Sequence, residues 1–168
     1  PITGSLQYAP FKDRFVTVSA GIVGDTARFQ GFGPFQGKRF SIRMQEGIPV
    51  SGDLGLGWSE PRLDWRSYKQ LTRRSLIAWR VFSVYNYGDW EPSYGFGGLN
   101  QLRGWEFRDF IGSRIASTNL EFRFPLVDEM RFPIFPLRNI RGFFFLDVGA
   151  AWNYNWWYDP EQVVVIQN

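Results

Sequence analysis

Cysteine and histidine are both absent from the 168 residues. Without cysteine there is no disulfide, no thiolate nucleophile and no Cys-type zinc site. Without histidine the usual Ser-His-Asp and Cys-His groupings cannot be built within the chain, and most transition-metal sites lose their commonest ligand. No stretch approaches the roughly 20 consecutive apolar residues of a membrane-crossing helix. Capped segments with a 3.6-residue apolar period are missing too, as are internal repeats, low-complexity tracts and linkers. No charged-then-apolar leader precedes the first strand pattern, so the chain, opening on Pro1, is expected to be a processed product or a fragment. What is abundant is aromatic: 8 Trp, 17 Phe and 7 Tyr make up 19% of the residues, high for a soluble domain. Mean hydropathy is nonetheless −0.26. A membrane barrel combines the two, because lipid-facing and lumen-facing side chains average out along each strand. An aromatic-rich soluble β-sandwich, for example a carbohydrate binder, fits the composition equally well. The net charge of +3 comes largely from arginines inside alternating strands, not from a basic run. That placement suits a cation-lined lumen or anionic headgroups better than a nucleic-acid stripe.

The length suits one domain, and turn residues punctuate it at short intervals. Phe15 to Val23 sets Val16, Val18, Ala20 and Ile22 against Thr17, Ser19 and Gly21. A turn rich in Gly and Phe is expected from Gln30 to Gly37. Lys38 to Ile48 sets Phe40, Ile42 and Met44 against Arg39, Ser41, Arg43 and Gln45. Leu54, Leu56 and Trp58 share a parity, but past Pro61 the large apolar positions are Leu63 and Trp65, which predicts a bulge or turn at Glu60-Pro61. Arg74 to Tyr87 points Ile77, Trp79 and Val81 outward and Ala78, Arg80 and Asn86 inward. In 114–126, Ile115, Ser117, Asn119, Glu121 and Arg123 oppose Ala116, Thr118, Leu120, Phe122 and Phe124. Val127 to Asn139 holds Pro133 and Pro136 and reads as a connection. In 140–152, Phe144, Leu146, Val148, Ala150 and Trp152 share one face, with Asp147 among aromatics and glycines on the other. Val163 to Ile166 is compatible with a last short strand. A transmembrane strand of about 9–11 residues, roughly 20 with its turn, gives roughly seven to nine antiparallel strands. The aromatic clusters Phe29 to Phe35, Tyr85 to Trp90 and Trp152 to Tyr158 sit near strand ends, where interfacial girdles belong.

Ahead of the strand-like runs 114–126 and 140–152 lies Gly97 to Gly112, a glycine-bounded loop carrying Arg103. A guanidinium offers five donors in a rigid fork and stays charged at biological pH. Gly98 and Gly104 allow tight turns and close backbone approach. Alternation places Glu121 and Asp147 on the lumen side of neighbouring strands. A loop folded inward would let Arg103 bridge one or both in a bidentate, charge-assisted pair. An exposed arginine in a polar loop, its pairing worth about 0–1 kcal/mol, is the other reading that spacing allows.

Leu102-Arg103-Gly104-Trp105, preceded by Gly97-Gly98, resembles the arginine-glycine-aromatic loop signature of the BamA/TamA superfamily, the bacterial surface antigen barrels. Phe145-Leu146-Asp147-Val148-Gly149 is similar to its aromatic-x-Asp-x-Gly strand motif, and Asn119 to Leu126 resembles the strand between them. Order and spacing match across about residues 97–152, and Asp64 to Tyr68 also reads like a strand of these barrels. The resemblance implies an all-β, antiparallel transmembrane β-barrel of sixteen strands, of which 1–168 is the C-terminal part within a single barrel domain. It implies that loop 97–112 reaches into the lumen, braced by Arg103, Gly104, Trp105 and Gly98, with carboxylate partners Asp147 and Glu121 and motif support from Phe145 and Gly149. Members of the family insert outer-membrane proteins or translocate polypeptides, without enzymatic activity, cofactor or metal. The implied location is the bacterial outer membrane. Implied partners are its lipids including lipopolysaccharide, unfolded or nascent outer-membrane polypeptides, and periplasmic domains or accessory subunits; nucleic acid is not expected.

Two departures stand out: the strands are too few for the family barrel, and the chain ends Val163 to Asn168 without a terminal aromatic residue. A passive barrel, either a pore or an anchor for a separate soluble domain, shares every barrel feature. A sugar-active β-enzyme would use Glu60 with Asp64, or Glu121 with Asp147, as its acid pair, with tryptophans as sugar platforms.

Overall fold

The computed structural model describes residues 14–30, 33–51, 57–89, 91–131, 136–153 and 165–167. These residues form strands and no helix. Six long strands carry the architecture: β1 (Arg14–Asp25), β3 (Gly33–Ser51), β4 (Trp58–Gln70), β5 (Leu76–Tyr85), β9 (Arg114–Arg131) and β10 (Pro136–Trp152). Short pieces complete it: β2 (Arg28–Gln30), β6 (Tyr87–Gly88), β7 (Tyr94–Phe96), β8 (Phe110–Gly112) and β11 (Val165–Gln167). The main sheet runs β1-β3-β4-β5-β9-β10-β11, with β2 added on β3 and β6 on β4, and every pairing is antiparallel. β7 and β8 pair apart from it, inside the long connection between β5 and β9.

The two faces of this meander differ. One carries Val18, Ile22, Phe40, Ile42, Trp79, Leu120, Phe122, Phe144 and Leu146, all substantially exposed; Phe144 and Ile22 reach 69% and 68%. Trp65 and Trp79 meet edge-on there, and Phe122, Phe124 and Phe144 stack in sequence. The other face is polar, and the β5–β9 connection folds over it. The hydrophobic core sits beneath that connection: Phe96 and Leu102 from the loop bury against Ile115 and Ala151 of the sheet, with Phe82, Tyr94, Trp105 and Phe110 around them. Packing is therefore loop on sheet. Nothing among the described residues covers the apolar side.

Several expectations need correction. No bulge interrupts Glu60-Pro61, since β3 and β4 pair in one register from Gly47↔Trp58 to Gly37↔Tyr68. The change of parity arises because Trp58 turns inward, seated over Gly47, where a Cβ would lie 2.1 Å from the indole nitrogen. Pro61 instead leaves its mark on the other neighbour. The β4 ladder runs to β5 from Arg62↔Val84 and to β6 from Ser59↔Tyr87, and it is broken opposite the residue that lacks an N–H. Leu54 and Leu56 lie outside the described residues.

The expected turn at 30–37 is mostly strand, for β2 folds back on β3 from Gln30↔Gly33 to Arg28↔Gln36. Residues 127–131 and 136–139 are paired strand, not a connection. Pro136 stands first in its strand, where no ladder bond is lost. Pro125 lies past Arg123, the last β9 residue paired with β5, and the register with β10 shifts beside it, from Ile140↔Val127 to Arg141↔Pro125. The expected last strand at 163–166 is described from Val165 on: β11 pairs Val165, Ile166 and Gln167 with Gly149, Val148 and Asp147. Phe32, Trp90, Pro133, Trp156, Trp157, Tyr158, Val163 and Val164 lie outside the described residues.

Candidate functional site

The loop is shaped by its glycines before its charges act. Gly97 and Gly98 take positive φ (128° and 89°), and a Cβ on Gly97 would come within 2.6 Å of the Glu106 carbonyl oxygen. The Gly98 carbonyl then accepts from the N–H groups of Gln101 (3.1 Å) and Leu102 (3.0 Å), closing a tight turn. Leu102 drops into the core, which leaves Arg103 beside the sheet, and Gly104 (φ 89°) lets the chain leave at once.

Arg103 meets two carboxylates. Its Nε and Nη2 donate to the two oxygens of Asp147, each at 2.7 Å, and its backbone N–H adds a third bond at 3.1 Å. Nη1 donates to Glu121 at 2.6 Å. Asp147 is 1% exposed, and Asn119 supplies it with a further donor at 2.9 Å while also donating to the Gln101 carbonyl at 2.8 Å. The buried carboxylate is thus surrounded by donors, as a desolvated charge requires. Glu121 is shared with Arg123, whose Nε lies at 2.7 Å. Hydrogen bonding to Asp147, opposed by burial and reinforced by Glu121, raises the Arg103 pKa above its ordinary value. Its guanidinium carbon lies 4.0 Å from the centroid of the Phe145 ring and 5.7 Å from that of Phe143, so a cation–π contact caps the ion pair.

Each motif position has a physical task. Phe145 is the ring beneath the guanidinium, and Asp147 is its bidentate acceptor. Gly149 makes room for the core, since a Cβ there would come 2.6 Å from the Phe96 ring. Trp105 packs edge-on against Phe110 at 5.0 Å and against the loop core.

Three contacts escape sequence reasoning. Arg80 donates to the Asn100 carbonyl at 3.1 Å while its Nε and Nη2 hold Asp64, tying the loop tip to β4 and β5. The Tyr94 hydroxyl donates to Glu60, which is also paired with Arg62 at 2.7 Å; burial and then that carboxylate raise the phenol pKa. Arg114 and Ser113 both bind Glu91 at the loop's two roots. The inward parity of Asn119, Arg80 and Glu60 was the available signal, but alternation names a face and not a partner. The carboxylates considered as sugar-cleaving pairs are all engaged: Glu60 and Asp64 as above, Glu121 and Asp147 by Arg103. Among the described residues no group of three or more His, Cys, Asp or Glu could hold a metal ion.

Residues 91–166 match the Omp85 superfamily domain, consistent with the resemblance to the BamA/TamA-type surface antigens. The matched stretch begins at the root of the loop and contains Arg103, Glu121 and Asp147. No curated protein and no solved structure matches the chain.

Proposed function

We propose, from the match of residues 91–166 to the Omp85 superfamily domain, that the chain is part of an outer-membrane β-barrel that inserts or translocates polypeptides, with the arginine loop as its internal brace. The observation carrying this reading is the division of the sheet. One face is apolar across six antiparallel strands and exposed, while the other is charged and closed by an inward-folded loop. A face bearing Phe144, Leu146, Phe122, Trp79 and Ile42 needs an apolar surrounding, and a bilayer around a closed sheet supplies it without leaving edges. The connection 71–75 is short and that from 86 to 113 is long, the asymmetry of membrane barrels between periplasmic turns and extracellular loops.

In this reading the chemistry is main-chain hydrogen bonding. A seam in the barrel wall opens and offers the donors and acceptors of a strand edge to an incoming β-hairpin. Arg103, held by Asp147 and Glu121, keeps the loop seated while the wall flexes. The proposed partners are outer-membrane lipids including lipopolysaccharide against the apolar face, unfolded outer-membrane polypeptides at the seam, and periplasmic domains or accessory subunits. No cofactor and no enzymatic step is required. The reading as a sugar-active enzyme is disfavoured by Asp147, both of whose oxygens already accept charged donors.

Depletion of the full-length protein tests the proposal. Other outer-membrane proteins should fall in abundance while the transcripts that encode them do not. Unchanged levels, with the protein itself extracted only by detergent and migrating differently on gels before and after heating, would favour a pore or anchor.

A further inference from the structure

The polar face breaks a rule of sheet pairing. Arg39 lies directly opposite Arg66, Arg66 opposite Arg80, and Arg43 opposite Arg62. Like charges in register on neighbouring strands are destabilising. Asp25 answers Arg39, and Asp64 bridges Arg66 and Arg80, but the row remains richer in cations than in anions. Where a fold departs from local consistency, a functional site is the expected reason.

Beside this row lies a cavity of about 340 Å³, walled by Arg66, Tyr68, Arg80, Arg103, Glu121 and Arg123 among others. The loop tip, with Leu99 and Asn100, forms part of its wall. Four guanidiniums meet there, from β4, β5, the loop and β9. They share three carboxylates: Asp64 between Arg66 and Arg80, Glu121 between Arg103 and Arg123, and Asp147 on Arg103. Arg66 engages Asp64 through Nε and Nη2 and also bonds the Tyr68 side chain, and Arg123 engages Glu121 through Nε and Nη2, which leaves its Nη1 beyond those contacts. A second cavity, of about 160 Å³, adjoins the same row between Arg39 and Arg66.

We propose that the cavity bounded by Arg66, Arg80, Arg103 and Arg123 is an oxyanion-binding site that takes a carboxylate or phosphate group from the aqueous side. Guanidinium forks match the planar spacing of such oxygens and bind them bidentately. An oxyanion there supplies the negative charge that the arginine row lacks and relieves the repulsion between Arg66 and Arg80. The Arg103–Asp147 pair stays intact, because the ligand takes up donors the carboxylates leave over. The site belongs equally to a passive barrel and to an insertion factor, so its fate is independent of the proposed function.

The test uses the full-length protein in detergent, titrated calorimetrically with inorganic phosphate at constant ionic strength, and in parallel with hexaglutamate. Saturable phosphate binding with a rise in unfolding temperature is expected. Arg66→Gln and Arg123→Gln should each weaken it at least about tenfold, whereas Arg43→Gln, outside the cavity, should leave it unchanged. Hexaglutamate that competes with phosphate identifies the oxyanion as an acidic side chain of a polypeptide; hexaglutamate that does not compete identifies a small free anion. No saturable binding of either probe, or binding that both cavity variants leave intact, overturns the proposal. If Arg66→Gln does not fold, Arg123→Gln, on a different strand of the cavity wall, decides it.

Discussion

The polar face has two halves built on opposite electrostatic terms. Over β9 and β10, charges are matched and dry: one guanidinium meets two carboxylates, Asp147 is almost inaccessible, and a loop with its own small core closes above. Over β3 and β4, arginines oppose arginines, and the Arg39–Asp25 pair is 44% and 41% exposed. Burial explains the contrast. A desolvated ion must find partners in good geometry or cost several kcal/mol, whereas solvated arginines are screened by water and salt and tolerate like neighbours. The loop is therefore both the product of charge matching beneath it and the reason that matching must be complete.

Removing one member of the buried pair should give the largest effect. Arg103→Ala leaves Asp147 buried with only Asn119 as side-chain donor, and destabilisation of about 3–5 kcal/mol is expected. Asp147→Ala should cost a similar amount, and the double variant well under the sum, because the two side chains act as one unit. Denaturant unfolding of the full-length protein in detergent measures both. Trypsin cleavage within 97–112 reports whether the loop has come away. Equal stability of Arg103→Ala and wild type would remove the brace from the mechanism.

Glu121→Gln should cost less, about 1.5–3 kcal/mol, since Arg103 keeps its three bonds to Asp147 while it and the more exposed Arg123 lose a charged partner. Gly149→Ala probes the loop's core rather than its charges. The added methyl meets the Phe96 ring, with an expected cost of about 1–3 kcal/mol. Phe96→Leu in the same chain should restore part of it. If Phe96→Leu gives no relief, the glycine of the strand motif serves something other than loop seating.

How much of this could be read in advance depends on the kind of information involved. Period-two alternation fixed which residues of 114–126 and 140–152 share a face, because the pleat allows nothing else. It did not place Arg103 against Asp147; spacing alone left an exposed arginine open, and the motif resemblance tipped the choice. A large aromatic ordinarily marks the apolar face, but Trp58 turns inward because Gly47 on the facing strand leaves it a seat there. The length of β9 and β10 is hidden by their prolines, which ordinarily stop a strand but are accepted at its first residue and at a bulge. The Asn119–Gln101 and Tyr94–Glu60 bonds carry no sequence signal beyond parity, since each joins the sheet to a connection whose path depends on three positive-φ glycines.

The smallest expected effect has the opposite sign and sharpens the contrast most. Arg43 faces Arg62 across β3 and β4, and Arg62 already holds Glu60. Replacing a charge that only repels its neighbour should stabilise, so Arg43→Gln is expected to raise stability by about 0.2–1 kcal/mol. The gain should shrink as salt is added, because exposed charges are screened over roughly 8–10 Å at moderate ionic strength. Arg103→Ala should show little salt dependence, its partner being out of reach of counterions. The two variants, unfolded side by side at low and high salt, therefore test the division of the face directly. Destabilisation by Arg43→Gln, or a salt response shared by both, would mean that the β3–β4 arginines are bound as tightly as the one beneath the loop.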